Sequence, residues 1–196
     1  MTLALSSDAQ NLLFRDARTA NTFTDEPVGD DQVQAIYDLV KHAPTAMNQQ
    51  PLRIVLVRSP EARERLVGLM SPGNQAKTAA APLVAILAAD LDFHEELPKV
   101  FPHATGVREM FAGDEAKRIQ SARFNATLQV GYFILGVRAA GLAAGPMAGF
   151  DAAGVDKEFF DGAHTVLAVV NIGKPGENAW RDRLPRLAYD EVVTTV

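Results

Sequence analysis

The stretch DEAKRIQSARFNATLQVGYFILGVRAA, residues 114–140, decides the fold. It predicts a single helix roughly 40 Å long, from a rise of about 1.5 Å per residue. Beyond Phe124 the stretch is apolar almost all round, which is typical of a central, buried helix. Gly131, Gly136 and Gly141 predict places where other backbone segments pack closely on this helix.

Helices and strands are mixed along the rest of the chain around this long helix, so the sequence predicts an α+β fold. The run at 82–89 is continuously apolar between turn signals, which favours a strand buried on both faces. Periodicity and capping residues predict the other elements. The other predicted strands are Leu52–Val57 and 164–172, and the other predicted helices are 30–43, one from Pro60 to about Met70, and a short one from Asp151.

Four segments between these elements lack a clear pattern. Residues 44–51 and 145–150 are predicted loops. Residues 91–113 predict a long surface excursion, of the length that often forms a lid or a binding segment. The tail from Gly173 carries apolar side chains among charges, so it must lie along its own domain or along a partner subunit.

Composition excludes several classes of protein. The chain of 196 residues has the length of one domain, and its net charge of −5, from 19 Lys+Arg against 24 Asp+Glu, argues against a nucleic-acid partner. It has no cysteine, so disulfides, thiolate nucleophiles and iron–sulfur clusters are excluded. The most apolar run, 130–137, is far shorter than the roughly 20 residues of a membrane span. With no secretory signal visible, we expect a cytoplasmic protein without membrane contact.

No self-sufficient set of catalytic side chains is visible. The nucleophile-elbow, zinc-protease and dinucleotide-binding motifs are missing, and the four histidines are too dispersed to predict a metal site. If the protein is an enzyme, a bound cofactor therefore supplies the chemistry.

Four short polar segments remain as candidates for a site. Two of them are arginine-containing islands at opposite ends of the chain, which can converge on one phosphate, because arginine binds phosphate as a planar fork. The alternative interpretation is that each island is a solvated run of charges on the surface. The amide residues would then be turn residues whose side chains bond their own backbone. The segments are 15–23, 43–51, 73–77 and 181–186.

Taken together and in this order, the segments resemble the nitroreductase family of FMN-dependent, dimeric oxidoreductases. The likeness runs from about Phe14 to Arg186, and its closest branch is the malonic semialdehyde reductases of pyrimidine degradation. Five motifs carry it: Ala17-Arg18-Thr19-x-Asn21-x-Phe23, Pro44-Thr45-x-x-Asn48-x-Gln50-Pro51, Asn74-x-x-Lys77, Pro146-Met147-Ala148-Gly149-Phe150 and Arg181-x-Arg183-Leu184-Pro185.

The resemblance implies a nitroreductase-like fold with a mostly antiparallel central sheet, a long central helix and an intertwined homodimer. A single FMN-binding domain would have its core at about 14–173 and an arm at about 174–196 that extends to the partner. The tail and the central helix would form the dimer interface, where we expect Asn125 and Gln129 to make interfacial hydrogen bonds.

The resemblance also implies a cofactor site. The arginines and Thr19 would hold the phosphate, Lys77 would favour the reduced flavin ring, and the main chain at Ala148 would face flavin N5. Pro44, Thr45 and Asn48 would reach the flavin of the other subunit. The implied cofactor-binding residues are Arg18, Thr19, Asn21, Pro44, Thr45, Asn48, Gln50, Asn74, Lys77, Pro146, Met147, Ala148, Gly149, Arg181 and Arg183. Asn21 and Ala17 stand where many relatives have basic residues, so we expect a less positive site.

The implied activity is an NADH- or NADPH-dependent oxidoreductase that works by a ping-pong mechanism. Flavin N5 would carry the hydride, so no catalytic side chain is predicted. The implied substrate is malonic semialdehyde, reduced to 3-hydroxypropionate, with His103 or Arg108 as contacts for its carboxylate. The alternatives are a broad-range nitroaromatic or quinone reductase and, in another class, a flavin-binding or interaction protein without turnover.

Overall fold

The sheet has four strands, all antiparallel, in the order β1-β2-β4-β3. The structure, a computed structural model, describes residues 3–196. The strands are β1 Leu52–Val57, β2 Leu83–Asp90, β3 Ala143–Met147 and β4 His164–Gly173. The predicted strands are confirmed, and all but the last residue of β2 are buried, as its apolar sequence indicates.

Strand β3 corrects the prediction that residues 145–150 are a loop. Its sequence, Ala-Ala-Gly-Pro-Met, has none of the β-branched or aromatic residues that mark a strand. Pairing with β4 makes it a strand, and its position at the edge of the sheet tolerates Pro146, which has no N–H to donate.

The long central helix, α7, is confirmed at Glu115–Ala139. Asp114 caps its first turn by accepting a hydrogen bond from the backbone N–H of Lys117 at 3.0 Å. At Gly136 a Cβ would lie only 2.6 Å from Val40 Cγ1, so glycine is needed for the close approach of the helix that carries Val40. A Cβ at Gly131 would meet no other segment within 4 Å, and Gly141 instead ends the helix with a φ of +73°.

The expectation that α7 is buried all round is wrong for the single chain. One face packs against the sheet and α2 through Phe133 and Val137, whereas Phe124 on the opposite face is 62% exposed. The other helices are α1 Ser7–Gln10, α2 Asp30–Val40, α3 Pro60–Leu69, α4 Pro72–Ala80, α5 Leu97–Val100, α6 Val107–Ala112, α8 Ala152–Phe159 and α9 Tyr189–Val192. The sequence analysis missed α1, the π-helical turn that follows it at Asn11–Arg15, and α9, and α2 ends three residues earlier than predicted.

Residues 91–113 are a helical segment with its own small core, which corrects the prediction of a surface excursion. A 3₁₀ turn at Phe93–Glu96 leads into α5, and α6 follows. Phe93, Leu97 and Phe111 are buried against α7, so the segment is anchored to the long helix. Apolar side chains separated by prolines and glycines concealed this packing in the sequence.

Asn125 and Gln129 both bond within the chain, and the burial of Asn125 shows that the expectation of an interfacial role is wrong for that residue. Asn125 is buried, accepts a hydrogen bond from the N–H of Ala46 at 2.8 Å and donates to Gln49 Oε1 at 2.9 Å. Gln129 Oε1 accepts from the N–H of Leu52 at 3.0 Å. Both side chains therefore fasten residues 46–52 to α7.

Asn125→Ala is expected to lower the free energy of unfolding by about 2 kcal/mol, because it leaves buried polar groups without partners. Urea denaturation measures the change. Thr127→Ala, on an exposed position of the same helix, is the matched control and should change it by less than about 0.5 kcal/mol. Equal losses in the two variants would contradict the fastening role of Asn125.

The tail runs back along the domain and then leaves it. Ala179 is 1% exposed, whereas residues 181–196 are all exposed, including Leu184 and Leu187 at 74% and 68%. Within the described part of the chain, no helix has the length and apolar character that crossing a membrane requires.

Candidate functional site

The two ends of the chain meet beside the sheet. The backbone N–H of Asn21 donates to the carbonyl of Ala179 at 3.0 Å, and the N–H of Gly176 donates to the carbonyl of Thr22 at 3.1 Å. The hydroxyl of Thr22 donates to the carbonyl of Glu177 at 2.7 Å. Residues 20–24 and 174–179 therefore form a paired base from which both arginine islands project.

The arginines of the two islands bond across this junction. Arg18 Nη1 donates to the carbonyl of Arg181 at 3.2 Å. Arg183 Nη2 donates to the carbonyl of Arg15 and, at 3.4 Å, to that of Ala17. The convergence of the two chain ends, which the motifs predicted, is present in the structure.

A cavity of about 410 Å³ opens at this junction, and we call it the arginine groove. A second cavity of about 380 Å³ shares Asn21, Gly73, Lys77 and Arg181 with it, so the two cavities are adjacent. The polar and charged side chains that line the arginine groove are Arg18, Thr19, Asn21, Lys77, Arg181, Asp182, Arg183 and Arg186.

The cations of the arginine groove lack acidic partners. Among residues 3–196, none of Arg18, Lys77, Arg181, Arg183 and Arg186 forms an ion pair within 4.0 Å. Unpaired guanidinium groups around one cavity favour a bound anion, above all a phosphate.

Helix α4 brings the third motif to the groove. Lys77 is half-buried and lines both cavities. Asn74 Nδ2 donates to the carbonyl of Gly149 at 2.9 Å, which ties the start of α4 to the segment that follows β3. A Cβ at Gly149 would lie 2.8 Å from Asn74 Nδ2, so glycine is required for this approach.

The fourth motif lies beside α4 and does not line the groove. Met147 is buried in a core cluster with Leu66 and Val169, so its side chain is part of the core. Ala148 is exposed, while Pro146 and Gly149 are half-buried. Only the exposed main chain after β3 is therefore open to a ligand.

The loop at 44–51 lies apart from the groove in the single chain. Thr45 Oγ1 donates to the carbonyl of Gln49 at 2.6 Å, and Asn48 Nδ2 donates to that of Val100 at 2.7 Å. Pro44 accepts from Tyr132 Oη at 3.0 Å. Gln50 lines a separate cavity of about 380 Å³ beside α2 and α7.

Two residues of this loop have left-handed backbone conformations. Met47 and Asn48 have φ angles of 52° and 50°. Asparagine is one of the residues that tolerate this conformation, whereas methionine adopts it less often. The anchors from α7 hold the loop in this shape.

Arg108 is not a free cation. Its guanidinium donates two hydrogen bonds to Glu95, both at 2.8 Å. The pair holds the pKa of Glu95 below its ordinary value, chiefly through the hydrogen bonds. His103 is exposed, and its ring contacts Phe101 edge-on with centroids 4.1 Å apart.

Sequence reasoning assigned no role to two polar residues of this region. Arg186 lines the groove, and its position within the polar segment 181–186 was the feature of the sequence that indicated this. Asn171 is buried on β4 behind α4 and gave no signal in the apolar run around it. Within residues 3–196 no cluster of side chains suits a metal ion. A further cavity of about 460 Å³ shares Ala17 and Arg18 with the arginine groove.

The fold and the groove define an α+β protein in which the chain ends and a helix form one cavity lined by cations. The model of the nitroreductase family matches residues 15–174, and the chain belongs to this family. A Streptomyces coelicolor protein with the provisional name NADH dehydrogenase/NAD(P)H nitroreductase is 67% identical over 196 residues, which is 100% of both chains.

Solved structures show the same fold. A provisionally named nitroreductase of Bacillus subtilis has a TM-score of 0.85 at 23% identity, over 97% of this chain and 100% of that one. A provisionally named nitroreductase of Exiguobacterium sibiricum, crystallised in complex with FMN, has a TM-score of 0.84 at 17% identity, over 100% of both chains.

Proposed function

We propose that the protein is an FMN-dependent NAD(P)H oxidoreductase, with the arginine groove as its FMN site. The observation that carries the proposal is the convergence of unpaired cations from both chain ends and α4 on one cavity. Family membership and the provisional name of the Streptomyces relative support it.

The donor set of the groove fits FMN. A phosphate dianion takes several charged or hydroxyl donors, and Arg18, Thr19, Arg181 and Arg183 offer them on one cavity wall. Asn21 offers an amide in the groove for the polar edge of the ring, and Asn74, whose Nδ2 is bonded to the carbonyl of Gly149, would add its Oδ1 from the start of α4. When bound, FMN supplies hydride transfer between NAD(P)H and a second substrate.

The protein's own groups would bind and polarise this cofactor. Lys77 would place a positive charge beside the ring, where reduction adds negative charge, and so favour the reduced form. The main chain at Ala148 would face the ring, held in place by the bond from Asn74 to Gly149. These roles need no side chain that transfers a proton.

The active form in this proposal is a homodimer. The exposed apolar face of α7 around Phe124 and the apolar side chains of the arm after residue 180 are surfaces that a second copy would cover. The anchored loop at 44–51, which lies apart from its own groove, would then contribute Pro44, Thr45, Asn48 and Gln50 to the partner's FMN site.

Malonic semialdehyde is the proposed substrate, on the likeness of the sequence to that branch of the family. The exposed His103 is the better candidate for its carboxylate, because Arg108 is already paired with Glu95. A broad-range nitroaromatic or quinone reductase is the second candidate, since an open groove admits many oxidants.

Purified protein is expected to bind FMN and to quench its fluorescence on titration, and NADH or NADPH should bleach the flavin absorbance. A protein that binds no FMN contradicts the proposed function. One that binds FMN without bleaching is a flavin-binding protein of another class. Comparison of kcat/KM for malonic semialdehyde and for a nitroaromatic then separates the two candidate activities. If the aldehyde is not turned over, the protein is not a malonic semialdehyde reductase.

A further inference from the structure

Asn171 is a buried polar residue that no part of the proposed cofactor site uses directly. It lies on β4, between β2 and β3, and it is 0% exposed. Its neighbours in the sheet are apolar, so the amide requires a reason other than packing.

The amide of Asn171 contacts two elements of the site at once. Its Nδ2 donates to the carbonyl of Lys77 at 3.1 Å and lies 4.0 Å from Met147 Sδ. Met147 ends β3, directly before Ala148 and Gly149. One side chain therefore fixes the helix that carries Lys77 relative to the strand that leads to the exposed main chain.

The bond to Lys77 meets a need of the helix. Lys77 is three residues from the end of α4, and the last four carbonyls of a helix lack partners within it. Arg63 satisfies others at the same end, donating to the carbonyls of Thr78 and Ala81 at 2.9 and 2.5 Å. Asn171 from the sheet and Arg63 from α3 together hold this end of α4.

The hydrogen bonds of the Asn171 amide lie on its donor side. Within the described residues, Asn171 Oδ1 has no hydrogen-bond donor from the protein. This buried acceptor without a donor costs free energy, which is set against the gain from satisfying the carbonyl of Lys77. The role of the amide is therefore to hold the main chain of Lys77 through its Nδ2 group.

We propose that Asn171 is a positioning residue, which sets the place of the Lys77 ammonium group in the arginine groove by holding its main chain. The inference rests on the proposed FMN site. It predicts that Asn171 affects the reduced cofactor more than the oxidised one, because only reduction adds the negative charge that Lys77 stabilises.

The test compares dissociation constants for oxidised and for reduced FMN in Asn171→Leu. The ratio of reduced to oxidised constants should rise about tenfold, which lowers the flavin midpoint potential by about 30 mV for two electrons. The matched control is Thr78→Val, which alters the next residue on α4, a buried hydroxyl 3.8 Å from the same Met147 sulfur. This control should leave the ratio unchanged.

A double-mutant cycle shows whether the effect passes through Lys77. In a Lys77→Met background, Asn171→Leu should leave the ratio unchanged, because no ammonium group remains to be positioned. An equal rise in that background, or an equal rise in Thr78→Val, overturns the inference. If the leucine variant does not fold, Asn171→Ser, whose side chain is too short to reach Lys77, takes its place with the same expected rise.

The outcomes separate this inference from the proposed function. A wild-type protein that binds no FMN overturns both. A wild type that binds FMN, together with an unchanged ratio in Asn171→Leu, overturns the positioning role alone.

Discussion

Lys77→Met is expected to slow the reduction of bound FMN by NAD(P)H about 100-fold, the usual effect of removing one preorganised charge-stabilising group. Lys77 is half-buried and lines both cavities of the arginine groove, where its ammonium group stands free of any acidic partner within residues 3–196. Methionine keeps the length of the side chain and removes only the charge and its donors.

Stopped-flow bleaching of the flavin absorbance measures this rate at saturating NAD(P)H. Lys157→Met, on the exposed surface of α8, removes the same charge elsewhere and should leave the rate unchanged. If Lys77→Met instead weakens FMN binding and slows reduction by the same factor, Lys77 supports the site and does not polarise the ring.

Arg183→Ala is expected to weaken FMN binding by about 1.5–3 kcal/mol, a roughly 10- to 150-fold rise in Kd, because it removes a charged hydrogen bond to the phosphate. It also removes the bond from the tail to the carbonyl of Ala17, which helps to hold the two chain ends together. Fluorescence titration measures the constant.

Two further variants interpret this result. Arg183→Lys keeps the charge without the planar fork, so its Kd should lie between those of the wild type and the alanine variant. Arg65→Ala removes an arginine that pairs with Glu158 on the surface, and it should bind FMN as the wild type does. Unchanged affinity in Arg183→Ala would exclude its phosphate role.

Elements with a strong local signal were predictable from the sequence. The central helix has a capping aspartate and a long uninterrupted pattern, and β1 and β2 are β-branched or continuously apolar. Strand β3 was not predictable, because five residues without strand propensity become a strand only through pairing with β4. The core of the 91–113 segment likewise depends on contacts with α7.

The candidate site, like the fold, was predictable from the sequence only in part. Motif order predicted that segments far apart in the chain approach one another, and the bond between Arg18 and Arg181 joins two of them. The sequence did not show whether Asn125 is a buried anchor or an interfacial residue, because an amide side chain on a helix suits either role. The structure shows that it is a buried anchor. Asn171 was hidden for a similar reason, because its partner is a main-chain carbonyl 94 residues away.

The comparison of FMN with riboflavin tests the central claim most directly, since riboflavin has the same ring and lacks the phosphate. If the arginine groove holds the phosphate, the wild type should bind FMN at least about 100-fold more tightly than riboflavin, as expected for two or more charged hydrogen bonds. The double variant Arg18→Ala/Arg183→Ala should lose most of that preference. Equal affinity of the wild type for the two flavins would contradict the account.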